Sequence, residues 1–404
     1  MYLARTIEKP LSQALAEFPA VTVTGPRQAG KTTLARHVAG DHSRYVSLEP
    51  PDVRETAATD PRGFLRRNPP PVIVDEAQYV PDLFPYIQER IDADRSRPGQ
   101  YLLTGSQNFL LSEKITESLA GRTAVLHLLS LSIREIRQCP ELPPVWNRKH
   151  IDDAPACLPD PEFWSAVLRG SFPEPVINPQ RRIEAWYRAF VQTYLERDVR
   201  SIRQIGDLTQ FQIFLRALAA RNGQLLNLSA LGRDLGLVSN TVRAWISILE
   251  ASFQVRLVRP WFVNVGKRLV KSPKLYFLDP GLVLYLTGIT APEQAAGGPT
   301  AGTLLETIVF GELLRIFEHR GAEPRIWFWR TSDGHEVDFL VEDEGRLFPF
   351  EVKLTATPSL RMASGIELLR SRIPDRIEPG WLVCRSDVSR ALSDNVRTLP
   401  VEWV

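Results

Sequence analysis

The chain has 404 residues, of which 44% are hydrophobic and 24% charged, and its formal net charge is +2. This composition excludes a disordered or fibrous protein and predicts two or three globular domains. Because the net charge is small, it gives no global attraction to nucleic acid, and any basic surface must be local. The three cysteines, Cys139, Cys157 and Cys384, are too few and too scattered for a disulfide framework or a zinc site.

The hydrophobic runs and the cysteine content bear on the compartment. The first nine residues lack the apolar stretch of a signal peptide, and no run reaches the roughly 18 apolar residues of a membrane helix. The scattered cysteines agree with a reducing compartment. We therefore expect a cytoplasmic protein with no membrane partner.

A glycine-rich loop follows the first apolar run, residues 20–24, and precedes a helical pattern. Its spacing, G-x-x-x-x-G-K-T, suits a loop that wraps phosphates with inward-pointing N–H groups while the next helix presents its positive N-terminus. Lys31 is expected to reach the β- and γ-phosphates of ATP, and Thr32 to hold Mg²⁺. A glycine turn without a ligand is the alternative. The predicted nucleotide-binding residues in this loop are Gly25, Pro26, Arg27, Gln28, Ala29, Gly30, Lys31, Thr32 and Thr33.

A second apolar run, residues 71–74, ends in two carboxylates, Asp75 and Glu76. Continuous apolar strands are buried on both faces, so this run and a short strand near residues 44–49 predict a parallel sheet. Asp75 is expected to bind Mg²⁺ opposite Thr32, and Glu76 to polarise the attacking water. The pair favours hydrolysis over transfer to a second substrate. The alternative is a solvated acidic strand end.

Two further strands, residues 100–107 and 123–128, complete the predicted sheet, with an amphipathic stretch over residues 109–119 between them. Ser106 or Thr104, at the carboxyl edge where ligands bind, is expected to sense the γ-phosphate. Arg122 follows a helix end and a flexible glycine. This position suits an arginine finger for a neighbouring subunit and equally a surface arginine.

Six segments resemble the AAA-type ATPases of bacteria and archaea that carry a C-terminal domain of unknown function. They are TGPRQAGKTT (24–33), VDEAQ (74–78), LTGSQ (103–107), SLAGR (118–122), LRGSFPE (168–174) and YLERD (194–198). The resemblance covers nearly the whole chain. It implies that Lys31, Thr32, Asp75 and Glu76 carry the nucleotide chemistry. The chain departs from the family at Gly170-Ser171, where two glycines are usual. Because such sites usually mature between subunits, a homo-oligomer is expected.

The middle of the chain combines a loop, a helix and a helix-turn-helix pattern. Residues 140–161 are rich in Pro and Asp and predict a loop. Residues 183–199 predict a lid helix, from which Arg197 or Arg200 is a candidate nucleotide contact.

Residues 229–250 predict two helices, capped by Ser229 and Ser239, with a turn at Gly236. Residues 253–258 and 274–278 would be wing strands. The basic tip of this predicted winged helix comprises Lys267, Arg268, Lys271 and Lys274. The second helix would bury Val242, Trp245, Ile246 and Leu249, and would present Asn240, Thr241, Arg243 and Ser247 to DNA. The alternative is a winged helix that serves as a lid or a protein dock.

Beyond a glycine-rich hinge near residues 297–302, Glu306 shares a helical stripe with apolar residues. Two turn signals, at residues 333–334 and 344–345, predict a three-strand meander over residues 326–354. A two-residue turn at 344–345 places Asp338 opposite Glu351, with Cβ atoms about 5 Å apart, unless Pro349 shifts the register. The same register places Lys353 on this face opposite Glu336.

The helix Glu, the strand Asp and the Glu-x-Lys resemble the nuclease superfamily named for its P-D-(D/E)-x-K motif. The resemblance implies that Glu306, Asp338 and Glu351 bind Mg²⁺ and that Lys353 orients or activates water. The alternative is ordinary β-hairpin patterning with salt bridges on a solvent face.

We therefore expect an α/β fold: a P-loop parallel sheet with helices on both faces, a helical and winged-helix region, and a C-terminal α/β nuclease-like domain. The predicted boundaries are 1–135, 136–205, 206–290 and 300–404. The predicted function is Mg²⁺-dependent ATP hydrolysis coupled to DNA or to a DNA-associated partner. A DNA-binding regulator or defence and toxin-type factor with ATP as a switch, and an ATP-gated Mg²⁺-dependent nuclease, are the alternatives.

Overall fold

The computed structural model describes residues 2–40, 42–106, 118–147, 156–195, 208–262 and 272–404, apart from the side chains of residues 194 and 195. Some predicted features lie outside the described residues. These are Gln107, most of the amphipathic stretch, Arg197, Arg200, Lys267, Arg268 and Lys271. Among the described residues, no helix is long and apolar enough to cross a lipid bilayer.

The N-terminal part is a five-stranded sheet with the strand order β2-β3-β4-β1-β5. Every pair in it is parallel, as the continuous apolar runs predict. The elements in chain order are α1 (Glu8–Glu17), β1 (Ala20–Thr24), α2 (Lys31–Ala39), β2 (Arg44–Ser47), α3 (Pro51–Thr59), α4 (Pro61–Arg67), β3 (Val72–Asp75), α5 (Phe84–Ala93), β4 (Tyr101–Gly105) and β5 (Thr123–His127).

This sheet is covered by helices on both faces because alternate strand residues point to opposite sides. Val21 and Val23 of β1 share one core with Leu11 of α1 and Leu34 of α2. Residues 20, 72, 74, 101 and 103 share a second core with aromatic and aliphatic residues of α4 and α5. The carboxyl ends of the strands therefore form one polar edge, at which the glycine loop and Asp75 lie.

Among its described residues, the middle part is helical and includes one antiparallel pair of strands. Its elements are α6 (Ile133–Ile136), α7 (Asp160–Arg169), α8 (Pro173–Ile177), α9 (Ile183–Phe190), α10 (Leu208–Ala219), α11 (Leu228–Leu235), α12 (Ser239–Ala251), β6 (Val255–Pro260), β7 (Lys274–Phe277), α13 (Pro280–Thr287) and α14 (Pro292–Gly297). Gly236 adopts the left-handed conformation between α11 and α12, as the turn prediction requires.

The predicted caps of α11 and α12 are wrong. The first turn of α11 is capped by Asn227, whose side chain accepts a hydrogen bond from the Ala230 N–H, because α11 begins at Leu228, one residue before Ser229. Ser239 is the first residue of α12, and the extended residue Val238 precedes it without a side-chain cap. The predicted inward face of α12 is confirmed, since Val242, Trp245, Ile246 and Leu249 are buried. Of the four residues predicted on the outer face, Asn240, Arg243 and Ser247 are exposed and Thr241 is half-buried.

The C-terminal part is α15 (Ala301–Glu318), β8 (Ile326–Arg330), β9 (Glu336–Asp343), β10 (Arg346–Val352), α16 (Ser364–Arg372), β11 (Gly380–Cys384), β12 (Ala391–Ser393) and β13 (Val396–Pro400). The predicted meander is confirmed as β8-β9-β10. Its sheet has eight strands in the order β12-β13-β11-β10-β9-β8-β6-β7, so the strand pair of the middle part extends the C-terminal sheet. The link is a parallel pairing of β6 with β8.

One hydrophobic core runs through the middle and C-terminal parts. Phe214 of α10, Trp245 of α12, Phe310 of α15 and Phe339 of β9 all belong to it. A separate core lies on the opposite sheet face against Ile366 of α16. The pairing of β6 with β8 and the shared core both cross the predicted boundary near residue 300.

Candidate functional site

The glycine loop has a backbone that side chains would obstruct. Gly25 has a φ angle of 152°, and a Cβ atom there would lie 2.0 Å from the carbonyl oxygen of Leu128. Gly30 has a φ angle of 94° and directly precedes the first residue of α2. The loop can therefore approach a ligand closely while the N-terminus of α2 faces the same space, which fits a phosphate group.

Lys31 and Thr32 lie where the sequence predicts them, at the start of α2. The Lys31 side chain is buried, and its ammonium donates to the carbonyl oxygens of Gly25 at 3.1 Å and Pro26 at 2.9 Å. The hydroxyl of Thr32 donates to the two carboxylate oxygens of Asp75 at 3.1 and 3.0 Å. An oxygen pair from Thr32 and Asp75 is a donor set that fits Mg²⁺.

Asp75 is the last residue of β3 and Glu76 follows it, and the two carboxylates accept hydrogen bonds from different side chains. The hydroxyl of Thr104 donates to Asp75. Ser106 donates to Glu76 at 3.0 Å, and the side-chain amide of Gln78 also donates to Glu76. Glu76 has a positive φ of 55°, which turns its side chain away from the line of the strand. The two predicted phosphate sensors, Thr104 and Ser106, therefore position the two carboxylates.

The sequence prediction missed Tyr45 at this site. Its hydroxyl donates to Asp75 at 2.7 Å, and the Arg36 guanidinium lies 3.8 Å from the centre of its ring. Burial, reinforced by this hydrogen bond, raises the pKa of Tyr45 to about 12, so it remains a proton donor. The pattern of residues 44–49 predicted a short strand, but it did not indicate that this strand pairs with β3 or which of its side chains faces Asp75.

Arg5 was also missed. It is buried, precedes α1 and donates to the carbonyl oxygen of Ala29 in the glycine loop at 2.9 Å and to that of Leu129 at 2.8 Å. Its Nε lies 3.2 Å from a carboxylate oxygen of Glu135. No periodic pattern precedes α1, so nothing in the sequence marks Arg5. A cationic side chain thus supports the glycine loop from behind.

Glu135 connects Arg5 to the C-terminal part. Its other oxygen lies 3.1 Å from Nδ1 of His319, which directly follows α15, and the Leu129 N–H donates to Nε2 of the same histidine at 3.1 Å. Burial disfavours the charged form of Glu135, but Arg5 and His319 outweigh it and hold its pKa well below the usual value. Burial lowers the pKa of His319, which favours the neutral imidazole.

Arg122, the predicted arginine finger, pairs within its own chain. Its guanidinium donates to the two carboxylate oxygens of Asp92, on α5, at 2.7 and 2.9 Å. Arg27 in the glycine loop donates to the hydroxyl of Tyr79 at 3.2 Å. The arginine-finger assignment stays a prediction, because reaching another subunit would require Arg122 to leave Asp92.

A second group of site residues, which includes Glu306, Asp338, Glu351 and Lys353, lines a cavity of about 770 Å³ between the middle and C-terminal parts. The strand register agrees with the two-residue turn, since Arg346 pairs with Asp343 and Phe350 with Phe339. Pro349 pairs with Leu340 in this register and does not shift it. Asp338 therefore comes opposite Glu351, and its carboxylate accepts a hydrogen bond of 2.9 Å from the Val352 N–H.

Lys274 corrects part of the prediction. The sequence predicts Lys274 in the basic tip, on DNA phosphates, but the residue is only 6% exposed at the start of β7. Its ammonium pairs with Glu336 and lies 3.9 Å from both Glu306 and Asp338. The physical reason is the pairing of β6 with β8, which carries β7 and its lysine onto the C-terminal sheet.

The other charged residues around this cavity also have partners. Lys353 donates to Glu351 at 2.5 Å and lies 3.8 Å from Asp338. The predicted register places Glu336 opposite Lys353, but the Glu336 carboxylate pairs with Lys274. The hydroxyl of Tyr276, on the same face of β7 as Lys274, donates to Glu306 at 2.8 Å. Lys-x-Tyr at strand spacing is the signal that could have indicated a shared face.

Burial and nearby carboxylates raise the pKa of Glu306, Asp338 and Glu351. Burial and the nearby Asp338 raise the pKa of Glu306 to about 7, and the same two causes raise that of Glu351 to about 8. Within the residues described, no group of three or more His, Cys, Asp or Glu side chains is arranged to hold a metal ion. The Mg²⁺ assignment to Glu306, Asp338 and Glu351 therefore stays a prediction.

Three known families match successive segments of the chain. Residues 17–137 match the family profile of an AAA domain. Residues 160–293 and 301–404 match two domains of unknown function, DUF8612 and DUF4143. The parallel sheet, the glycine loop and the AAA match together define an AAA-type P-loop ATPase fold for the N-terminal part.

Sequence similarity to other proteins extends along almost the whole chain. Uncharacterised proteins of Mycobacterium bovis and Mycobacterium tuberculosis are each 31% identical over 399 residues, which is 98% of this chain and 82% of theirs. An uncharacterised protein of Methanocaldococcus jannaschii is 22% identical over 85% of this chain and 76% of its own. The chain belongs to the same family as the mycobacterial proteins. In this chain an AAA domain precedes a C-terminal domain of unknown function.

Solved structures give weaker similarities. The Walker-type ATPase PABY2304 of Pyrococcus abyssi is 17% identical with a TM-score of 0.45, over 69% of this chain and 94% of that protein. The RuvB Holliday junction branch migration motor of Thermotoga maritima is 17% identical with a TM-score of 0.27, over 63% of this chain and 89% of that protein. These scores carry no functional argument.

Proposed function

We propose that the protein binds Mg-ATP at residues 25–33 and hydrolyses it. The observation that carries this proposal is the contact of Thr32 with Asp75 beside Glu76, because it joins a phosphate loop, a cation-binding pair and a candidate base. Lys31 would neutralise charge on the β- and γ-phosphates. Mg²⁺ held by Thr32 and Asp75 supplies charge neutralisation at the phosphates.

Glu76 is the residue we assign to water activation. Its carboxylate accepts hydrogen bonds from Ser106 and Gln78, which fix its position at the end of β3. A carboxylate so held can accept a proton from an attacking water. We assign Ser106, which donates to this carboxylate, to sensing the γ-phosphate. This division of roles gives Asp75 to the cation and Glu76 to the water.

Phosphate release from ATP tests the proposal. The Lys31→Ala and Glu76→Gln variants should each lose turnover, and Glu76→Gln should still bind ATP, since it keeps the loop intact. Glu89→Gln, an exposed glutamate on α5, is the matched control for the change of a carboxylate to an amide. Unchanged turnover in the Lys31 variant would refute the assignment.

We further propose that turnover is coupled to DNA or to a DNA-associated partner through helices α11 and α12 and strands β6 and β7. The order of these elements is that of a winged helix, and α12 exposes Asn240, Arg243 and Ser247 on one side. Measuring ATPase rates with and without duplex DNA tests this. Tight, salt-sensitive DNA binding with negligible turnover would favour a regulator that uses ATP as a switch.

A second candidate function is an ATP-gated, Mg²⁺-dependent nuclease. It is favoured by Glu306, Asp338, Glu351 and Lys353 lining one cavity in the predicted register. Incubation of the protein with single- and double-stranded DNA and RNA, with Mg²⁺ or Mn²⁺ and with or without ATP, tests it. Intact substrates under all these conditions would exclude the activity.

A homo-oligomer is part of the proposal, since AAA-type sites usually mature between subunits. Sedimentation with and without nucleotide measures the state directly. If Arg122 acts in a neighbouring site, Arg122→Ala should abolish turnover, whereas Asp92→Ala, which only frees Arg122, should not. Equal turnover in the two variants and wild type would leave Arg122 a surface residue.

A further inference from the structure

A further cavity, of about 370 Å³, lies among α6, α7 and α15. Its wall includes Ile133 of α6, Phe163 of α7 and Ile308 of α15, so all three family-matched segments of the chain contribute to it. Among the described residues, it shares no lining residue with the cavity around Glu306 or with the glycine loop. Its volume lies within the range of about 300 to 1,000 Å³ that is usual for small-molecule sites.

The polar groups at the inner wall of this cavity are paired with one another. Glu312 accepts hydrogen bonds from the Arg315 guanidinium at 3.1 Å and from the Ile133 N–H at 3.0 Å. Arg315 also donates to the Ser171 hydroxyl at 2.9 Å. Among the described lining residues, no buried side-chain nitrogen or oxygen lacks a hydrogen-bond partner. A polar group that entered would lose its hydrogen bonds to water without replacement, so the interior favours an apolar group.

Apolar side chains also line the open side of the cavity. Ile136, at the end of α6, is 36% exposed, and Leu158, before α7, is 38% exposed. Ala166 of α7 is exposed as well. Large apolar side chains that are exposed singly are common, but here two of them line the same cavity. An apolar chain inserted between them would gain dispersion contacts that the empty cavity lacks.

The charges around the cavity leave one positive charge uncompensated. Three arginines and two glutamates are among the lining residues. Arg315 lies 3.1 Å from Glu312, and Arg137 pairs with Glu402. The third arginine, Arg169, makes its described hydrogen bonds to backbone oxygens and not to a carboxylate.

Arg169 is the last residue of α7 and is partly exposed. Its guanidinium donates to the carbonyl oxygens of residues 175, 178 and 179, which satisfy its hydrogen bonds but carry no net charge. Arg385, which also contacts Glu402, pairs with Asp160 and so leaves the charge balance unchanged. A negatively charged group at Arg169 would therefore complete the balance.

We propose that this cavity binds a small amphipathic carboxylate, with an apolar body among α6, α7 and α15 and its carboxylate at Arg169. The apolar interior accounts for the body, and the uncompensated guanidinium accounts for the negative head group. The site goes beyond the proposed function, because it uses no residue assigned to ATP, to DNA or to nucleic-acid cleavage. Its test therefore needs neither nucleotide nor DNA.

Three probes that share a ten-carbon chain test the class of ligand: decanoate, 1-decanol and decylamine. Calorimetric titration of the full chain without nucleotide should give the tightest binding for decanoate. Decylamine should bind at least about tenfold more weakly, because its ammonium would lie against Arg169. Absence of decanoate binding, or an affinity for decylamine equal to or above that for decanoate, would overturn the proposal.

Arg169→Met separates the charge of the site from its shape. It should weaken decanoate binding about fivefold and leave 1-decanol binding within about twofold, because only decanoate carries a charge and a partly exposed ion pair contributes on this scale. Arg188→Met, which changes an exposed arginine of α9, is the matched control and should bind both probes like wild type. Equal weakening of both probes by Arg169→Met would show a structural role and would contradict the assigned head-group contact.

Ala166→Trp tests the location of the bound chain. A tryptophan ring at this exposed edge of the cavity should weaken decanoate and 1-decanol binding at least about tenfold, because it takes volume that the alkyl chain needs. Ala58→Trp, at an exposed alanine of α3, is the control and should bind like wild type. Decanoate should also raise the melting temperature of Ala58→Trp more than that of Ala166→Trp. Undiminished decanoate binding by Ala166→Trp would place the probe elsewhere and refute the site.

Discussion

The guanidinium of Arg5 donates a 2.9 Å hydrogen bond to the carbonyl oxygen of Ala29, inside the glycine loop. The same guanidinium reaches Glu135, which lies against His319 at the end of α15. The segment before α1 therefore joins the nucleotide loop to the helix that also carries Glu306. One buried arginine therefore links the nucleotide loop, through Glu135, to the C-terminal end of α15.

Arg5→Ala should destabilise the protein and weaken ATP binding. Removing the arginine leaves Glu135 as a buried charge with less compensation, which costs about 3 kcal/mol of unfolding free energy. Urea unfolding and ATP titration measure the two effects. Arg62→Ala is the control, because Arg62 and its partner Glu89 are both exposed. It should leave stability and ATP binding close to wild type. Coincident unfolding curves for Arg5→Ala and wild type would contradict the role of Arg5.

Glu135 should make the protein sensitive to acid. Its folded pKa lies well below the usual 4.5, because of Arg5 and His319. The stabilisation from its charged form is therefore complete above the unfolded pKa and is lost as the pH falls below it towards the folded pKa. Glu135→Gln should be less stable than wild type at neutral pH and should show a flatter stability profile in acid.

Thermal unfolding between about pH 3 and pH 8 measures this difference. The control is Glu89→Gln, an exposed glutamate that should retain the wild-type profile. A Glu135→Gln profile as steep as that of wild type would show that other groups control the acid sensitivity.

Tyr45→Phe should raise the Mg²⁺ concentration needed for half-maximal ATPase activity by about tenfold, because residues that orient a metal ligand contribute on this scale. The hydroxyl donates to Asp75 at 2.7 Å and holds the carboxylate towards Thr32. Tyr86→Phe, on α5 beneath the Arg62 side chain, is the control. An unchanged Mg²⁺ dependence in Tyr45→Phe would separate Tyr45 from the cation site.

Gly25→Ala should abolish ATP binding. A Cβ atom at Gly25 would lie 2.0 Å from the Leu128 carbonyl oxygen, so the loop would have to move. Gly40→Ala is the matched control: its φ of 62° is also positive, but a Cβ atom there meets nothing within 4 Å. It should cost only about 1 to 2 kcal/mol of backbone strain. Nucleotide binding by Gly25→Ala would show that the loop can adopt another backbone path.

The sequence predicted those features that local pattern controls. Continuous apolar runs were sufficient for the parallel sheet, and a two-residue turn was sufficient for the register that brings Asp338 opposite Glu351. Side-chain period and turn length act over a few residues, so both are readable without the fold. The sequence did not show that Asn227, not Ser229, caps α11, because this depends on a helix boundary that differs by one residue.

Contacts between distant segments could not be predicted in this way. Lys274 looks like part of a basic tip until β6 pairs with β8, and Arg5 has no pattern at all around it. For both residues, the partner that determines the role of the side chain lies more than twenty positions away in the sequence. Their roles depend on how distant segments pack together, and local sequence patterns do not show this.

The pairing of β6 with β8 has a practical consequence for anyone who wishes to study the last hundred residues separately. A fragment beginning at residue 301 would lack β6 and β7, leaving the backbone donors and acceptors along one side of β8 open to water and to other chains. Such an edge invites intermolecular strand addition. Strands β6 and β7 therefore protect β8 from pairing with other chains. A fragment that starts before β6 should remain monodisperse under conditions in which the fragment from residue 301 precipitates.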